Sequence, residues 1–207
     1  MNETTKRSEV IIMEKMKKID PVYTLVNILL PFVVLIGTVA LGVLIYDYVP
    51  EQVGMVLSIV GVGFFFLWWA YLGRKLYEMR REKTLAALSA DGFSPSHTFN
   101  ADGCTLVVDL DQGKIALVFR WNPKKAYVRS AGDLSELRVD DGRGGAGFME
   151  GSSRVSFLFQ VDGMKIRVNT FTSNKRWRMD SDYILTGISK ADVMVEALTA
   201  AGAKKAG

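Results

Sequence analysis

Two long runs of apolar residues dominate the first third of the chain. Val22 to Tyr46 and Val53 to Gly73 contain no charged residue, and each is long enough to cross a hydrocarbon layer of about 30 Å as a helix. Neither run has the polar stripe at a period of 3.6 residues that is typical of a surface helix. The pattern predicts a transmembrane helical hairpin over residues 22–73, with a short turn at Asp47–Gln52. A buried hairpin in a soluble protein is the alternative.

Basic residues flank this hairpin on both outer sides and are absent from its turn. Lys and Arg collect on the cytoplasmic side of membrane helices. We therefore expect a multi-pass protein of the inner (cytoplasmic) membrane, with its N-terminus and C-terminus both in the cytoplasm. The flanking basic residues are Lys6, Arg7, Lys15, Lys17 and Lys18 before the first span, and Arg74, Lys75, Arg80, Arg81 and Lys83 after the second.

Small and polar residues recur inside both predicted spans. Spacings of four residues, as from Thr38 to Gly42 and from Gly54 to Ser58, let helix backbones approach each other closely. The alternative is that glycine is simply common in membrane helices. A side chain such as Asn27 could also hydrogen-bond across the hairpin. The residues expected at a packing surface, within the hairpin or between copies of the chain, are Asn27, Gly37, Thr38, Gly42, Gly54, Ser58 and Gly61.

The segments on either side of the hairpin are both predicted to be helical. Residues 8–19 intersperse apolar and charged side chains, which favours a short amphipathic helix at the inner leaflet within a cytoplasmic segment over residues 1–21. A frayed terminus is the alternative. Residues 74–91 are rich in helix-forming residues, so the second span is expected to continue into the cytoplasm as a helical linker. Asp91-Gly92 would end that helix.

After Phe93 the apolar period changes from 3.6 residues to 2, which predicts strands. Turn sequences divide the strands at Asp111-Gln112-Gly113, Asn122-Pro123-Lys124 and Asp162-Gly163. Asp140 to Gly151 is glycine-rich and is expected to be a loop. The chain would end with an irregular polar stretch over 173–182, a short segment at Tyr183–Ile188 and a helix over Lys190–Ala201. Ser189 would be the N-cap of that helix.

The predicted fold is a two-helix transmembrane hairpin joined to an α+β cytoplasmic domain over residues 92–203. Six or seven antiparallel strands and one helix would close into a small barrel or sandwich. The segments Phe93–Phe99, Leu106–Asp109, Lys114–Leu117 and Ser153–Val155, with the Asp162-Gly163 turn, give this region an order that resembles the pleckstrin-homology (PH) superfold. It is also similar to a group of small bacterial membrane proteins with a PH-like domain. The resemblance covers residues 93–201 and implies a binding or scaffolding role. The Lys/Arg signature of phosphoinositide-binding members is replaced here by Asp111-Gln112-Gly113.

The sequence offers little for catalysis, and we expect no enzyme activity and no cofactor. The one cysteine, Cys104, and the one histidine, His97, exclude a multi-cysteine or histidine-rich metal site. Residues 142–147 (GRGGAG) resemble a nucleotide-binding loop only superficially, and a linker between strands is the preferred interpretation. The aspartate pairs 140/141 and 180/182 lack a calcium-loop spacing and are interpreted as solvated turns. A net charge of +4 without a recognition helix argues against nucleic acid as a partner.

One group of basic residues near a tryptophan is the candidate binding surface. Basic groups at the inner leaflet gain about 1 kcal/mol each from anionic lipid, and a tryptophan can insert among the headgroups. A solvated sheet face is the alternative. The residues are Lys165, Arg167, Lys175, Arg176, Trp177 and Arg178, with Lys124, Lys125 and Arg129 expected nearby.

Three functions remain open at this stage. The first is a scaffold subunit of an inner-membrane assembly that docks partner proteins through the PH-like domain. The second is a module that senses anionic lipid at the inner leaflet. The third is a pore or membrane effector built from several copies, for which the small residues of the spans are the motivation. The expected partners are the lipid bilayer, a protein, and a second copy of the chain.

Overall fold

A computed structural model describes residues 11–45, 48, 50–101, 103–142 and 151–203. Two long antiparallel helical rods begin the structure. Helix α1 spans Pro21–Leu44, and α2 spans Glu51–Leu67. A π-helical turn at Trp68–Leu72 joins α2 to α3 (Gly73–Ala90), so the second rod is continuous from the hairpin turn to Ala90. The expected extension of the second span into one long helix is thus confirmed.

Both rods are long and apolar enough to cross a membrane. Only 17% of the apolar window of the first rod and 6% of that of the second are buried inside the protein. A core helix of a soluble protein would bury most of such a window. The turn between the rods was predicted at Asp47–Gln52. Some of these residues lie outside the part of the chain that the structure describes.

In the part of the chain that the structure describes, seven strands follow the second rod and form two antiparallel meanders. Strands β2 to β5 are a four-stranded meander, and strands β6 to β8 are a three-stranded one. Helix α4 follows the last strand and packs on β7 and β8. The bounds are β2 His97–Ala101, β3 Cys104–Asp109, β4 Lys114–Phe119, β5 Asn122–Ser130, β6 Ser135–Asp140, β7 Ser152–Val161, β8 Met164–Trp177 and α4 Asp182–Ala200.

The main core lies between the two sheets and α4. Side chains at alternate positions of β3 and β4, such as Leu106 and Leu117, meet Phe157 and Phe159 of the second sheet and Leu198 of the helix. The Asp162-Gly163 turn joins β7 to β8 as predicted, with both residues at positive φ, which suits a tight hairpin.

A second core lies on the opposite face of the first sheet, where α3 packs. Leu88 of α3 and Phe93 contact Val107, Ala116, Val118 and Ala126. Because α3 covers this face, β3 is buried along its whole length. Residues 74–91, predicted as a helical linker, thus form a helix that also packs on the domain as a layer.

The segment before the first rod is extended, so the predicted amphipathic helix over 8–19 is wrong for the residues the structure describes. Ile11–Ile12 form strand β1, which pairs in parallel with β5. Met13 enters the main core, and Ile19 forms a bridge with Trp121. Pairing with the free edge of β5 satisfies backbone groups that a helix on the surface would not reach. Residues 8–10 lie outside the described part.

Two further predictions in the domain were wrong. Asn122-Pro123-Lys124 belongs to β5, because the hairpin turn comes earlier, at Arg120-Trp121, and Phe119 pairs with Asn122. The stretch predicted as irregular extends β8 to Trp177. Helix α4 then begins at Asp182 with Ser181 at its N-cap, so Tyr183–Ile188 is helical and Ser189 lies inside the helix. Most of the glycine-rich loop at 140–151 is outside the described residues.

Candidate functional site

The predicted basic surface is divided between the two ends of β8. Lys165 and Arg167 follow the hairpin turn, whereas Lys175, Arg176 and the neighbouring Trp177 end the strand. A strand rises about 3.3 Å per residue, so the two groups lie roughly 30 Å apart along β8. One ligand headgroup cannot contact both groups.

Most of these basic side chains already have partners within the protein. Arg167 lies 3.4 Å from Asp140, and Lys165 lies 4.0 Å from Glu136. Arg176 donates to the carbonyl oxygen of Gly151 through both Nε and Nη2. In a separate turn, Arg178 forms a two-point ion pair with Asp180. These contacts favour the interpretation as a solvated sheet face.

Trp177 is also held by the domain itself. Its indole Nε1 donates to Ser173 at 3.0 Å, and its ring packs against Tyr183 with centroids 4.5 Å apart. Tyr183 in turn stacks on Phe171. The three rings form a small cluster between β8 and the start of α4, which accounts for the tryptophan without a membrane contact.

Four of the predicted packing residues meet where the two rods cross. A Cβ atom on Gly42 would lie 3.2 Å from the carbonyl oxygen of Gly54, and one on Gly61 would overlap the Thr38 side chain. Gly37 faces open space, and Ser58 donates within its own helix to Gly54. Close approach of the backbones is thus used within the chain, between its own two rods.

Asn27 joins the rods in a different way from the one expected. Its side-chain amide donates to the carbonyl oxygen of Tyr23 one turn earlier in α1. The bond between the rods runs instead from Trp68 Nε1 to the backbone carbonyl oxygen of Asn27 at 3.1 Å. Trp68 opens the π-helical turn, so the irregular part of the second rod is also the part tied to the first.

Both rods are attached directly to the domain. Asp20 caps α1 with its side chain, and its own N–H donates to the carbonyl oxygen of Trp121 in the β4–β5 turn. On the second rod, Thr84 donates to the carbonyl oxygen of Pro123 at 2.7 Å. Arg80 lies over the ring of Tyr23, 4.8 Å from its centroid, and so links the two attachments. These contacts fix the position of the domain relative to the two rods.

A polar cavity of about 420 Å³ opens at this junction. It lies between the first two turns of α3, the β2–β3 and β4–β5 turns, and the middle of β8. We call it the arginine cavity, because Arg74, Arg81 and Arg120 line it together with one acidic residue, Glu78. Its other lining residues include Tyr77, Asn100, Thr105, Asn169, Thr170 and Thr172.

A chain of hydrogen bonds orients Arg81 in the arginine cavity. Its Nη1 donates to Asn100 Oδ1 at 3.0 Å, and Asn100 Oδ1 also accepts from Thr105 Oγ1 at 3.1 Å. Its guanidinium lies 5.8 Å from the ring centroid of Tyr77. Its Nε is buried and has no hydrogen-bond partner among the described residues. Its Nη2 also lies 4.0 Å from Glu82. The guanidinium is thus oriented and weakly paired, but its buried Nε is left unsatisfied, which is costly.

The other two arginines differ in how they are paired. Arg74 Nε forms a bond of 3.0 Å with Glu78 one turn further along α3. Arg120 is exposed in the β4–β5 turn, and its guanidinium forms no ion pair or hydrogen bond with the residues that the structure describes. The cavity therefore carries an excess of positive charge.

A second, less polar groove lies beside the first. It is about 320 Å³ in volume and runs between strand β2 and helix α4, lined by Thr98, Phe99, Asn100, Thr170, Ser189, Lys190, Val193 and Met194. Strand β2 is the edge of its sheet, so one row of its backbone groups is unpaired. We call this surface the β2–α4 groove. It shares Asn100 and Thr170 with the arginine cavity.

A cluster of polar groups joins β5 to the β7–β8 turn and to the N-terminal segment. The hydroxyl of Tyr127 donates to Asp162, and Arg129 Nε donates to the same carboxylate at 3.1 Å. Burial, followed by the bond to Asp162, raises the pKa of Tyr127 to about 12. The bond from Tyr127, followed by the contacts with Arg129, lowers the pKa of Asp162. Arg129 Nη2 also donates to the carbonyl oxygen of Glu14, so this cluster ties down the N-terminal segment.

Nothing in the described residues gathers three or more His, Cys, Asp or Glu side chains at a spacing that could hold a metal ion. Cys104 is buried, and burial raises the pKa of its thiol to about 11. Its environment is that of a core residue.

The sequence interpretation missed Arg81, Asn100 and Arg120 as candidate site residues. Arg81 appeared there only as one of the flanking basic residues. A signal was available in retrospect, because Arg81 and Arg74 are seven residues apart and lie on one face of a helix. Which strand turns would meet that face depended on the tertiary packing.

Comparison with known proteins does not extend this picture. No protein-family model matches the chain, and the searches of curated proteins and of solved structures returned no match.

Proposed function

We propose that this protein is a membrane-anchored interaction module without catalytic activity, and that its domain is PH-like. A four-stranded meander, a three-stranded meander and a C-terminal helix follow one another in the order expected of that superfold. In this proposal the rods span the bacterial inner membrane, and the domain and both termini lie in the cytoplasm. The exposed apolar surface of the rods supports the membrane placement, because water-soluble proteins rarely expose contiguous apolar patches of this kind.

The observation that carries the proposal is the burial of α3 against the first sheet. The helix that leaves the second rod is also the outer layer of the domain, through Leu88 and its neighbours. Thr84 and Asp20 add bonds from both rods to the β4–β5 hairpin. A domain fixed in this way presents the same surface at the same distance from the bilayer in every copy. Such an arrangement suits a subunit that holds a partner protein in place.

The β2–α4 groove is the surface we assign to that partner. An unpaired edge strand can accept an extended peptide segment as an additional strand, while an adjoining groove takes its side chains. Phe99 and Val193 supply apolar contacts, and Lys190 lies at the rim. A partner segment with alternating apolar side chains and a carboxylate would fit this lining.

Site-specific photocrosslinking in living cells tests the proposal. A photoreactive amino acid replaces Val193 in the groove, and a matched variant carries it at Leu185, which is equally apolar and exposed on the same helix but outside the groove. We expect a discrete adduct of constant mass from position 193 and none from position 185. An adduct between two copies would assign the groove to self-association.

The outcome that would contradict the docking proposal is equally clear. If position 193 gives no adduct, or the same diffuse pattern as position 185, the groove does not hold a partner. As a further control, Lys190→Glu should weaken the specific adduct, because it reverses the charge at the rim.

The two other functions predicted from the sequence gain less support. A lipid surface along β8 would need Lys165 and Arg176 to act together, yet they lie at opposite ends of the strand. A pore built from several copies was motivated by small residues, and Gly42, Gly54 and Gly61 are used in packing the two rods of one chain. Both functions stay predictions.

A further inference from the structure

We propose that the arginine cavity binds a phosphate group, supplied by an anionic phospholipid of the inner leaflet. This inference rests on the proposed membrane placement of the rods and is independent of the β2–α4 groove as a docking site. It also differs from the basic surface predicted along β8, because it uses none of those residues.

The charge and bonding of the cavity point to an oxyanion. Three arginines face one carboxylate, and that carboxylate, Glu78, is engaged by Arg74. Arg120 has no acidic partner among the described residues. Arg81 is largely withdrawn from water, with Glu82 4.0 Å from its Nη2 and its Nε unsatisfied. Guanidinium groups match the geometry of phosphate oxygens and bind them at two points. A phosphate in the cavity would neutralise charge that the protein itself leaves uncompensated.

The remaining lining suits a phosphate headgroup better than an apolar ligand. Asn169 and Thr172 of β8 contribute an amide and a hydroxyl group, whereas the hydroxyl of Thr170 donates to the carbonyl oxygen of Gly187. Tyr77 lies near Thr105, with their oxygens 3.4 Å apart. A volume of about 420 Å³ lies within the ordinary range for small-ligand sites. Acyl chains would find little apolar surface there and would remain in the bilayer.

The cavity begins at the depth of the headgroup layer. Arg74 directly follows Gly73, where the apolar run of the second rod ends. A helix rises about 1.5 Å per residue, so Arg81 lies about 12 Å beyond that point. The headgroup region on each side of a bilayer is about 5–8 Å thick. Arg74 therefore lies within the headgroup layer, and Arg81 lies about 4–7 Å beyond it. A lipid phosphate would enter the cavity from its Arg74 end.

Native mass spectrometry of the full-length protein in uncharged detergent tests the inference. The protein is titrated with phosphatidylglycerol, and separately with zwitterionic phosphatidylcholine. Arg120→Gln and Arg81→Gln each remove one cavity charge, and Arg178→Gln removes one charge in the turn after β8 as the matched control. We expect the cavity variants to bind phosphatidylglycerol about ten-fold more weakly, as loss of a charge-assisted contact implies. Arg178→Gln should bind like the wild-type protein.

Arg120→Gln keeps the test valid if Arg81→Gln disturbs folding, because Arg120 is exposed in a turn. Circular dichroism and thermal unfolding of each variant establish that it is folded. Unchanged phosphatidylglycerol binding in folded Arg120→Gln protein, or an equal loss in Arg178→Gln, would overturn the site. Equal affinity for phosphatidylcholine would overturn the assignment to anionic lipid.

Millimolar inorganic phosphate distinguishes the two sources of the ligand. If the lipid is the ligand, inorganic phosphate should neither displace phosphatidylglycerol nor raise the melting temperature. If inorganic phosphate stabilises the wild-type protein but not the two cavity variants, the ligand is a soluble phosphate and the lipid assignment is wrong. Extraction of the full-length chain from membranes by carbonate would instead overturn the membrane placement, and that result is separate from any loss of lipid binding.

Discussion

Thr38 occupies the space in which a Cβ atom on Gly61 would lie. The two residues sit on different rods, so the absence of a side chain at position 61 allows the rods to meet there. Nearer the hairpin turn, Gly42 and Gly54 bring the backbones together in the same way. Farther along, Trp68 Nε1 bonds to the carbonyl oxygen of Asn27. The rods are therefore in contact along their length. At the glycines their backbones approach closely, and at Trp68 a side chain donates a hydrogen bond to the other rod.

Gly61→Ala should loosen this hairpin. The added methyl group overlaps Thr38, and relief requires the helices to separate or Thr38 to change rotamer. We expect a loss of about 1–3 kcal/mol in the free energy of unfolding, as for overpacked cores. Unfolding in detergent with increasing denaturant, followed by circular dichroism, measures the loss.

Gly63→Ala is the matched control, because a Cβ atom there would meet nothing within 4 Å. It should be neutral or slightly stabilising, since alanine favours helix over glycine. The double variant Thr38→Ala with Gly61→Ala should recover much of the stability. Equal effects of the Gly61 and Gly63 substitutions would contradict the packing described for the rods.

Leu88→Ala should destabilise the domain from its outer face. Leu88 is only 2% exposed, between α3 and the first sheet, and truncation of such a residue costs about 2–5 kcal/mol. Met79→Ala, on the same helix but 46% exposed, should change stability by less than about 0.5 kcal/mol. Limited proteolysis of the full-length protein and chemical unfolding both report the difference. Similar results for the two variants would mean that α3 does not act as a layer of the domain.

The role of α3 also shows which parts of the fold the sequence could predict. Apolar runs without charged residues are sufficient to predict the rods. The alternation of apolar and polar residues, together with Asp162-Gly163, is sufficient to predict the longest hairpin. The burial of Val107, Ala116 and Val118 was not recognised, because alternation alone does not reveal what covers the second face of a sheet. The N-terminal strand was missed for a similar reason. Two residues of β1 gain their stability from the edge of β5 and have little pattern of their own.

The candidate site was predictable only in part. The basic residues of β8 were predicted as one candidate binding surface, but a linear sequence could not reveal that the strand continues to Trp177 and separates them. The arginine cavity combines Arg74 and Arg81 of a helix with Arg120 of a turn about 40 residues later. Only the packing of α3 on the sheet brings these three residues together.

Tyr127 and Asp162 should make stability depend on pH in two separate ranges. The lowered pKa of Asp162 means that its carboxylate favours the folded state above its ordinary pKa of 3.8, and this contribution is lost as the pH falls below that value. The raised pKa of Tyr127 means that the neutral phenol favours the folded state below pH 10. That contribution is lost as the pH rises from 10 towards 12.

Tyr127→Phe should remove the alkaline loss and cost about 1 kcal/mol at neutral pH, because one buried hydrogen bond disappears. Asp162→Asn should flatten the acid limb, and asparagine tolerates the positive φ of 48° at this position. Melting temperatures of the full-length protein between pH 3 and pH 11 give both curves. Parallel pH profiles for the wild-type protein and both variants would refute the coupling.

Cys104 should not react with thiol reagents in the folded protein. Cysteines introduced elsewhere can therefore be labelled alone to map the membrane topology. The thiol is buried and its pKa is raised to about 11, so little thiolate forms near pH 8 and reagents cannot reach it. A membrane-impermeant maleimide should therefore label the wild-type protein only after unfolding. Tyr48→Cys, at a position 87% exposed between the rods, should be labelled from outside intact cells. Lys124→Cys, exposed on the domain, should react only after lysis. Labelling of Lys124→Cys in intact cells would place the domain outside the cytoplasm and overturn the proposed orientation. Rapid labelling of the folded wild-type protein would show that the core around Cys104 is open to reagents.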